Sequence, residues 1–393
     1  MKILLASSSS GSRGGGEIFL KYLGQGLAQR GHEIIFWCAQ HPRMEELAGG
    51  LGASGRVVRS PYRNFYDYRT RILATSLNFS TSRRLATEWD QLRPDIVHVN
   101  KQNLEDGLDL LRAANLLARA PLSPLRSPLS IPALCTIHIT QTANYLGARV
   151  AWLRDWLARR SLGQFKGPYV AVQETRRKEL SAFLRNGHKT CAIHNGVPLV
   201  ETGAKLLRQP KRLELGLDEE EILVIGVGRM EAQKRPMLFL EVAERLRRKL
   251  PQVKFLWVGG GSLARDWDQW VAARQLSKVI SRAEWQSDVK PFLLAADFFL
   301  HVAAYEGLPF ALIEALSAGL PCAIPAELAA EIPALGGDTV LLIDNEAGLV
   351  RALQSKTELL ARGSRSRAVA MEHFSIEQMA SRYETLYQEL ICP

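Results

Sequence analysis

Short apolar runs alternate with amphipathic stretches twice along this chain. In the first half KILLA, EIIFWCA, DIVHV, ALCTIHI, YVAV and CAIH read as strands. Stretches such as EIFLKYLGQGLAQRG lie between them and repeat their apolar positions at helical spacing. In the second half the strands are EILVIGVG, VKFLWVGG, DFFLHVA, PCAI and VLLI, separated by patterns such as PMLFLEVAERLRRKL and VKPFLLAA. Strands that are apolar at every position, rather than at every second one, are covered on both faces. That is the mark of parallel sheets between helices. The pattern predicts an α/β chain with two Rossmann-like, doubly wound parallel-sheet domains. The break falls in the polar segment Val200–Glu221. The domains are therefore expected over 1–199 and 200–374, with the last helical pattern, within 375–393, open to packing on either.

One segment carries chemistry within this pattern. In AAYEGLPFALIEALSAGLP, Pro309 suits a first helical turn, and Gly319 followed by Pro321 suits a stop. The spacing predicts a helix from Phe310 to Ala318, with Glu306 in the loop before it and Glu314 in its middle. The helix is apolar all round and should be buried. A carboxylate at 314 then needs a hydrogen-bond donor to offset its desolvation.

Composition narrows the class. A chain of 393 residues exceeds what one core usually serves. No apolar run approaches the ~20 residues that span a bilayer, and the first apolar run is too short for a secretory leader. The five cysteines are scattered without a CxxC pair, so neither a disulfide framework nor a zinc site is expected, and a cytoplasmic setting fits. Charge is uneven. Residues 1–198 hold 27 Lys and Arg against 14 Asp and Glu, whereas 199–393 hold 23 against 26. The basic first half calls for an anionic partner, a phosphate-bearing substrate or a membrane surface. Nucleic acid is disfavoured, because no basic cluster sits in a nucleic-acid-binding motif.

Candidate ligand-binding features cluster at predicted strand ends. Gly14, Gly15 and Gly16 precede a helix opened by Glu17. Glycines admit close backbone approach, and helix starts favour anions. The spacing is not that of a dinucleotide fingerprint. Arg229 and Lys234 stand just beyond EILVIGVG, where open α/β sheets bind ligands, and Gly259–Gly261 follow the next strand. Carboxylates, cations and glycine turns at the ends of one sheet suit a nucleotide sugar. Glu314 would accept from ribose hydroxyls, and Glu306 from the transferred sugar. Backbone N–H groups from Gly307 through Leu308 and Pro309 to Phe310 would face sugar or phosphate.

Four pieces, spread over almost the whole chain, together resemble the retaining glycosyltransferases of family 4, which have the GT-B fold. They are GGGE (Gly14–Glu17), HNGV (His194–Val197), GRMEAQK (Gly228–Lys234) and the pair Glu306 and Glu314, eight positions apart. The resemblance implies two domains facing a central cleft, with the C-terminal helix, Phe374–Leu390, crossing back to the first. The second holds a nucleotide-diphospho-sugar and the first holds the acceptor. It implies Arg229 and Lys234 on the diphosphate, with Gly260 among the donor-site glycines. Glu306 would lie on the sugar, Glu314 on the ribose, and the Gly15–Gly16 backbone over the phosphates. His138, in TIHIT, matches the family histidine near the donor sugar, so His138, Glu306, Arg229 and Lys234 form the expected catalytic set. Pro198 stands where an acid is frequent, and Trp285 where glycine is common.

In glycosyl transfer, charge leaves onto the diphosphate, and fixed cations there lower the barrier most. Arg229 and Lys234 suit this without a metal or cofactor. The resemblance also implies metal independence and retention. His98, at the end of DIVHV, is open between an acceptor contact and ordinary packing. Glu17 is open between an acceptor contact and favouring its own helix start. Two first-half segments, RVVRSPYRNFYDYRTR and ARVAWLRDWLARR, mix arginine with aromatics. They are open between ordinary packing and an anionic membrane surface. The expectation is a cytoplasmic enzyme, a candidate for the inner face of a membrane, acting on a glycan or lipid-linked acceptor. A sugar-nucleotide epimerase and a non-catalytic nucleotide-sugar-binding protein are the alternatives.

Overall fold

The computed structural model describes residues 1–8, 14–62, 71–118, 130–185, 187–201 and 206–392. The chain divides into two compact units, Met1–Gly196 with Ile376–Pro393, and Val197–Ser375.

The first unit is built on a parallel sheet. Its strands are β1 (Lys2–Ser7), β2 (Glu33–Ala39), β3 (Arg56–Ser60), β4 (Ile96–Lys101), β5 (Ala133–Ile137), β6 (Tyr169–Ala171) and β7 (Thr190–Ala192). The order is β3-β2-β1-β4-β5-β6-β7, with Leu4 opposite both Ile35 and Val97. The winding reverses between β1 and β4, which leaves a switch point at their carboxyl ends. Leu4, Ile35 and Val97 are wholly buried, and the Trp37 and Trp89 rings meet edge-on at 5.5 Å.

The C-terminal helix Ile376–Ile391 belongs to this unit. It crosses the helix Gly15–Gln29 at Gly26, where an added Cβ would lie 2.8 Å from the Ala380 Cβ. Tyr383 Oη lies 2.9 Å from Thr136 Oγ1, and Glu384 accepts from Arg30 Nε at 2.7 Å and lies 2.8 Å from His32 Nε2.

The second unit repeats the plan with β8 (Ile222–Val227), β9 (Val253–Val258), β10 (Ile280–Ala283), β11 (Phe298–Leu300), β12 (Cys322–Ile324) and β13 (Val340–Leu342). Their order is β10-β9-β8-β11-β12-β13, all parallel, so the switch point lies at the ends of β8 and β11. Phe239 centres its core, 5.4 Å from the Trp257 ring and stacked on Trp267 at 5.8 Å.

Three expectations change here. The polar segment Val200–Glu221 is not a bare connection. Its helix Arg208–Glu214 is fixed to the second unit by Arg212, which is 2% exposed. Arg212 donates to the carbonyls of Ala295 (3.1 Å), Asp218 (2.7 Å) and Glu221 (2.6 Å) and to Asp297 Oδ2 (3.2 Å). Second, RVVRSPYRNFYDYRTR is not wholly a surface segment. Its start is strand β3, Arg59 forms a bidentate pair with Glu45 (2.6 and 2.7 Å), and buried Tyr62 donates to Asp109 at 3.0 Å. Its residues 63–70 lie outside the described residues, as do 121–129 of the proline-rich stretch. Third, β10 was not expected. Like β3, it is an edge strand, and an edge keeps polar side chains because one flank stays open.

Candidate active site

The second unit gathers its charged groups at its switch point. The turn Ala232–Lys234 follows β8, and the loop before the helix Phe310–Ser317 follows β11. The two are stitched together: the Ala304 N–H donates to the Gln233 carbonyl at 2.8 Å, and Gln233 Nε2 to the Tyr305 carbonyl at 3.1 Å. This brings the Lys234 ammonium onto the Glu306 carboxylate. Arg229, half-buried just after β8, accepts from the Glu231 N–H at 2.8 Å through its carbonyl, and among the described residues its guanidinium has no hydrogen-bond or ion-pair partner. Glu231 joins the same turn to the next by accepting from the Ser262 N–H (3.0 Å) and hydroxyl (2.6 Å).

The glycines after β9 have a structural reason. Gly259 has φ +133°, and a Cβ there would lie 2.2 Å from the Gly228 carbonyl. At Gly261 it would lie 2.6 Å from the Met230 carbonyl. The two strand-end turns therefore pack backbone to backbone. Gly260 bonds across the same seam, its carbonyl accepting from the Met230 N–H at 2.9 Å.

The two glutamates differ in their surroundings. Glu306, placed from sequence in the loop before the helix, is 7% exposed. Glu314 is half-exposed on a stripe with Ala311 and Ala318, while Leu312, Ile313, Ala315 and Leu316 are buried. The helix is thus apolar enough to bury three sides while presenting its one carboxylate on the fourth. Pro309 caps this helix rather than sitting in its first turn, and it has no N–H to offer. From Gly307 to Phe310 all four residues are buried.

A residue not expected from sequence completes the cluster. His301 follows β11 directly, 4% exposed, with its Nε2 3.9 Å from Glu306 Oε1. Burial pushes its imidazole down to about 4. It could have been found by the rule that singled out His98 and His138, a polar residue ending an apolar strand.

In the first unit His138 is 6% exposed, and its Nε2 lies 2.8 Å from Asn100 Oδ1. Asn100 Nδ2 donates to the Gly16 carbonyl at 3.0 Å. That bond leaves Oδ1 as the acceptor, so His138 carries its proton on Nε2 and keeps a lone pair on Nδ1. Burial pushes this ring down to about 4, so it is neutral near pH 7. Asn100, which sequence reasoning missed, thus joins the histidine to the glycine turn. Gly15 is exposed at the helix start, whereas Gly16 lies against Gln102, whose side chain an added Cβ would overlap. Residues 9–13 of the same loop lie outside the described residues.

His98 takes the packing alternative. It is wholly buried, with Nδ1 2.7 Å from Tyr387 Oη and Nε2 2.8 Å from Thr136 Oγ1, so neither nitrogen is left for an acceptor. Glu17 is 3% exposed and accepts from the Gly14 N–H at 2.9 Å, closing its own helix start as a capping residue does.

Two family models match the chain. One, described as "Glycosyltransferase Family 4", covers residues 13–201. The other, "Glycosyl transferases group 1", covers residues 208–353. The chain belongs to glycosyltransferase family 4. Among curated relatives, a stretch of 140 residues is 32% identical to the Escherichia coli UDP-Gal:alpha-D-GlcNAc-diphosphoundecaprenol alpha-1,3-galactosyltransferase. That stretch is 35% of this chain and spans only 36% of the relative's length. The Bacillus anthracis N-acetyl-alpha-D-glucosaminyl L-malate synthase is 24% identical over 405 residues, 100% of this chain and 98% of that one. The crystal structure of Anabaena HepE with UDP has a TM-score of 0.71 at 15% identity, covering 99% of this chain and 100% of that one. The fold of this family 4 chain is GT-B. In it, the Lys234–Glu306 pair, Arg229 and the half-open Glu314 all belong to the second unit, and His138 and the glycine turn to the first.

Proposed function

We propose that this protein moves a sugar from a nucleotide-diphospho-sugar to a glycan or lipid-linked acceptor. The reaction retains anomeric configuration and needs no metal. The carrying observation is the Lys234–Glu306 pair at the switch point of the second sheet, with Arg229 just beyond the end of β8 and Glu314 half-open on the helix after β11. A buried carboxylate suits sugar hydroxyls. Arg229 and Lys234 supply positive charge where the departing diphosphate gathers negative charge. His138, neutral with a free lone pair on Nδ1, accepts from a sugar hydroxyl in this reading. Retention and metal independence rest on the family resemblance. The relative acting on a diphosphoundecaprenol-linked sugar supports a lipid-linked acceptor.

The test is thermal shift over a panel of nucleotide sugars, then mass spectrometry of products with candidate acceptors. A transferase releases nucleoside diphosphate and extends an acceptor. Donor turnover without acceptor would favour an epimerase, and donor binding without nucleotide release would favour a binding protein.

The acceptor reading extends to an anionic membrane surface. In ARVAWLRDWLARR the packing alternative required buried tryptophans. In the helix Ala151–Leu162, Trp152 is 72% and Trp156 50% exposed. Asp155 ties the preceding turn to this helix by accepting from the N–H groups of Ala143 (2.8 Å) and Asn144 (3.1 Å), which brings exposed Tyr145 alongside. Leu73, Leu77 and Phe79 of the same unit are exposed too. Arg160 lies over the Trp156 ring at 5.7 Å, the mixture of aromatic and cation that seats at headgroups. No helix among the described residues is long and apolar enough to cross a membrane. Replacing Trp152 and Trp156 together with alanine should weaken binding to phosphatidylglycerol-containing vesicles by roughly tenfold or more. Co-sedimentation at low salt measures this, and a wild-type protein that stays in the supernatant would count against the membrane reading.

A further inference from the structure

His301 is a buried titratable group of the second unit that the proposed function does not use. Its Nε2 has no hydrogen-bond partner among the described residues, although the ring is 4% exposed. A buried, unpaired ring nitrogen costs free energy, so its position calls for a reason. The same Glu306 oxygen that accepts from Lys234 lies 3.9 Å from it, one small rotation beyond hydrogen-bond range. The ring stacks on Phe299 at 6.3 Å, which limits how it can turn, and the His301 N–H is fixed to the Ala323 carbonyl at 2.9 Å. Burial and the nearby Lys234 charge both keep the imidazole neutral near pH 7, while Glu306 alone favours its charged form. A neutral ring has one N–H to give.

Lys234 serves two masters if the donor reading is right. Without ligand, its ammonium satisfies Glu306. With a diphosphate present, the same ammonium is drawn toward phosphate oxygens, and Glu306, 7% exposed, would be left short of a donor. Resting on that reading, we infer that His301 is a positioning residue that takes over Glu306 through Nε2–H when Lys234 turns to the diphosphate. The carboxylate thereby keeps its aim on the transferred sugar. The handover also explains why an apolar strand ends in a buried histidine with an idle nitrogen.

Two measurements judge this. In the full chain carrying Lys234→Met and no nucleotide, the handover is made permanent. Histidine 15N NMR should then show His301 protonated on Nε2, with that proton shifted downfield from its place in the wild type. UDP added to the wild type should move the signal the same way. Unchanged His301 signals in Lys234→Met would overturn the inference without any ligand being involved. By calorimetry, His301→Leu should weaken UDP-glucose by about tenfold while leaving UDP within about twofold, because the residue acts through the group that holds the sugar. His301→Gln, which keeps an N–H at the same reach, should restore most of the loss. Equal weakening of both ligands would mean a merely structural role and overturn the proposal. Failure of every nucleoside diphosphate in the panel, UDP included, to bind the wild type would instead strike the donor reading, and the Lys234→Met spectrum would still decide the His301 contact.

Discussion

Lys234→Ala should lower sugar transfer by roughly 10²- to 10³-fold, the loss typical when one preorganised charge is removed from a developing anion. Two effects combine. The departing diphosphate loses a cation held in place by the stitched turn Ala232–Lys234, whose Gln233 carbonyl receives the Ala304 N–H. Glu306, 7% exposed, also exchanges its ammonium partner for at most the neutral N–H of His301 and becomes a poorly compensated buried carboxylate. The second effect predicts a further signature. Lys234→Ala should lower the melting temperature of the second unit, and adding Glu306→Gln should recover much of that stability without recovering transfer. Nucleoside diphosphate release with a working donor and acceptor measures the first effect, and calorimetric melting the second. Transfer within threefold of wild type would remove Lys234 from the site.

A chain ending at Ser375 should lose the fold of its first unit. The helix that would be missing buries Ile376, Met379, Ala380, Tyr383, Leu386 and Tyr387. The larger of these contribute roughly 1.5–3 kcal/mol each by burial alone, against about 5–15 kcal/mol for a whole domain. Polar groups left behind add to the loss. His98, wholly buried, would have no partner for Nδ1, and Thr136 would lose its contact with Tyr383. Limited proteolysis and thermal melting should show the second unit, whose chain ends pair at Val197 and Ser375, intact beside an unfolded first. A truncated protein as protease-resistant throughout as the full chain would refute this.

The central strands were legible because they are buried on both faces. KILLA, EIIFWCA and EILVIGVG are apolar at nearly every position, and they became β1, β2 and β8 in the middle of their sheets. RVVRS and ISRA were missed as strands because β3 and β10 stand at edges, where polar side chains keep solvent contact. Periodicity reports apolar side chains: the edge strands β7 and β13 were still read because CAIH and VLLI are apolar runs, whereas the arginines and serines of RVVRS and ISRA hid theirs.

The site was legible in kind more than in arrangement. Arg229, Lys234 and Glu306 could be named because cations and acids beyond strand ends are conspicuous against apolar runs. Burial at a single position follows from contacts distant in sequence. Lys234 and Glu306 stand 72 residues apart and meet because β8 and β11 are neighbours. No local pattern around Glu314 tells that one side of its helix is left open. His301 and Asn100 both end apolar strands, a signal local to the chain, but what they do depends on a carboxylate and a glycine turn that reach them only through the sheet.

By itself, the amino-acid order determined two parallel α/β units, the helix start at Phe310, and a set of cationic and acidic side chains at strand ends. These follow from local hydrophobic period and turn chemistry, which act over a few residues. Only the tertiary structure decided which groups seat the last helix on the first unit, that Arg212 makes a polar segment part of the second, and that His98 is packed away. It also decided which glutamate is enclosed. Each of those outcomes depends on which strands lie side by side, and adjacency in a sheet is set by the whole chain folding together.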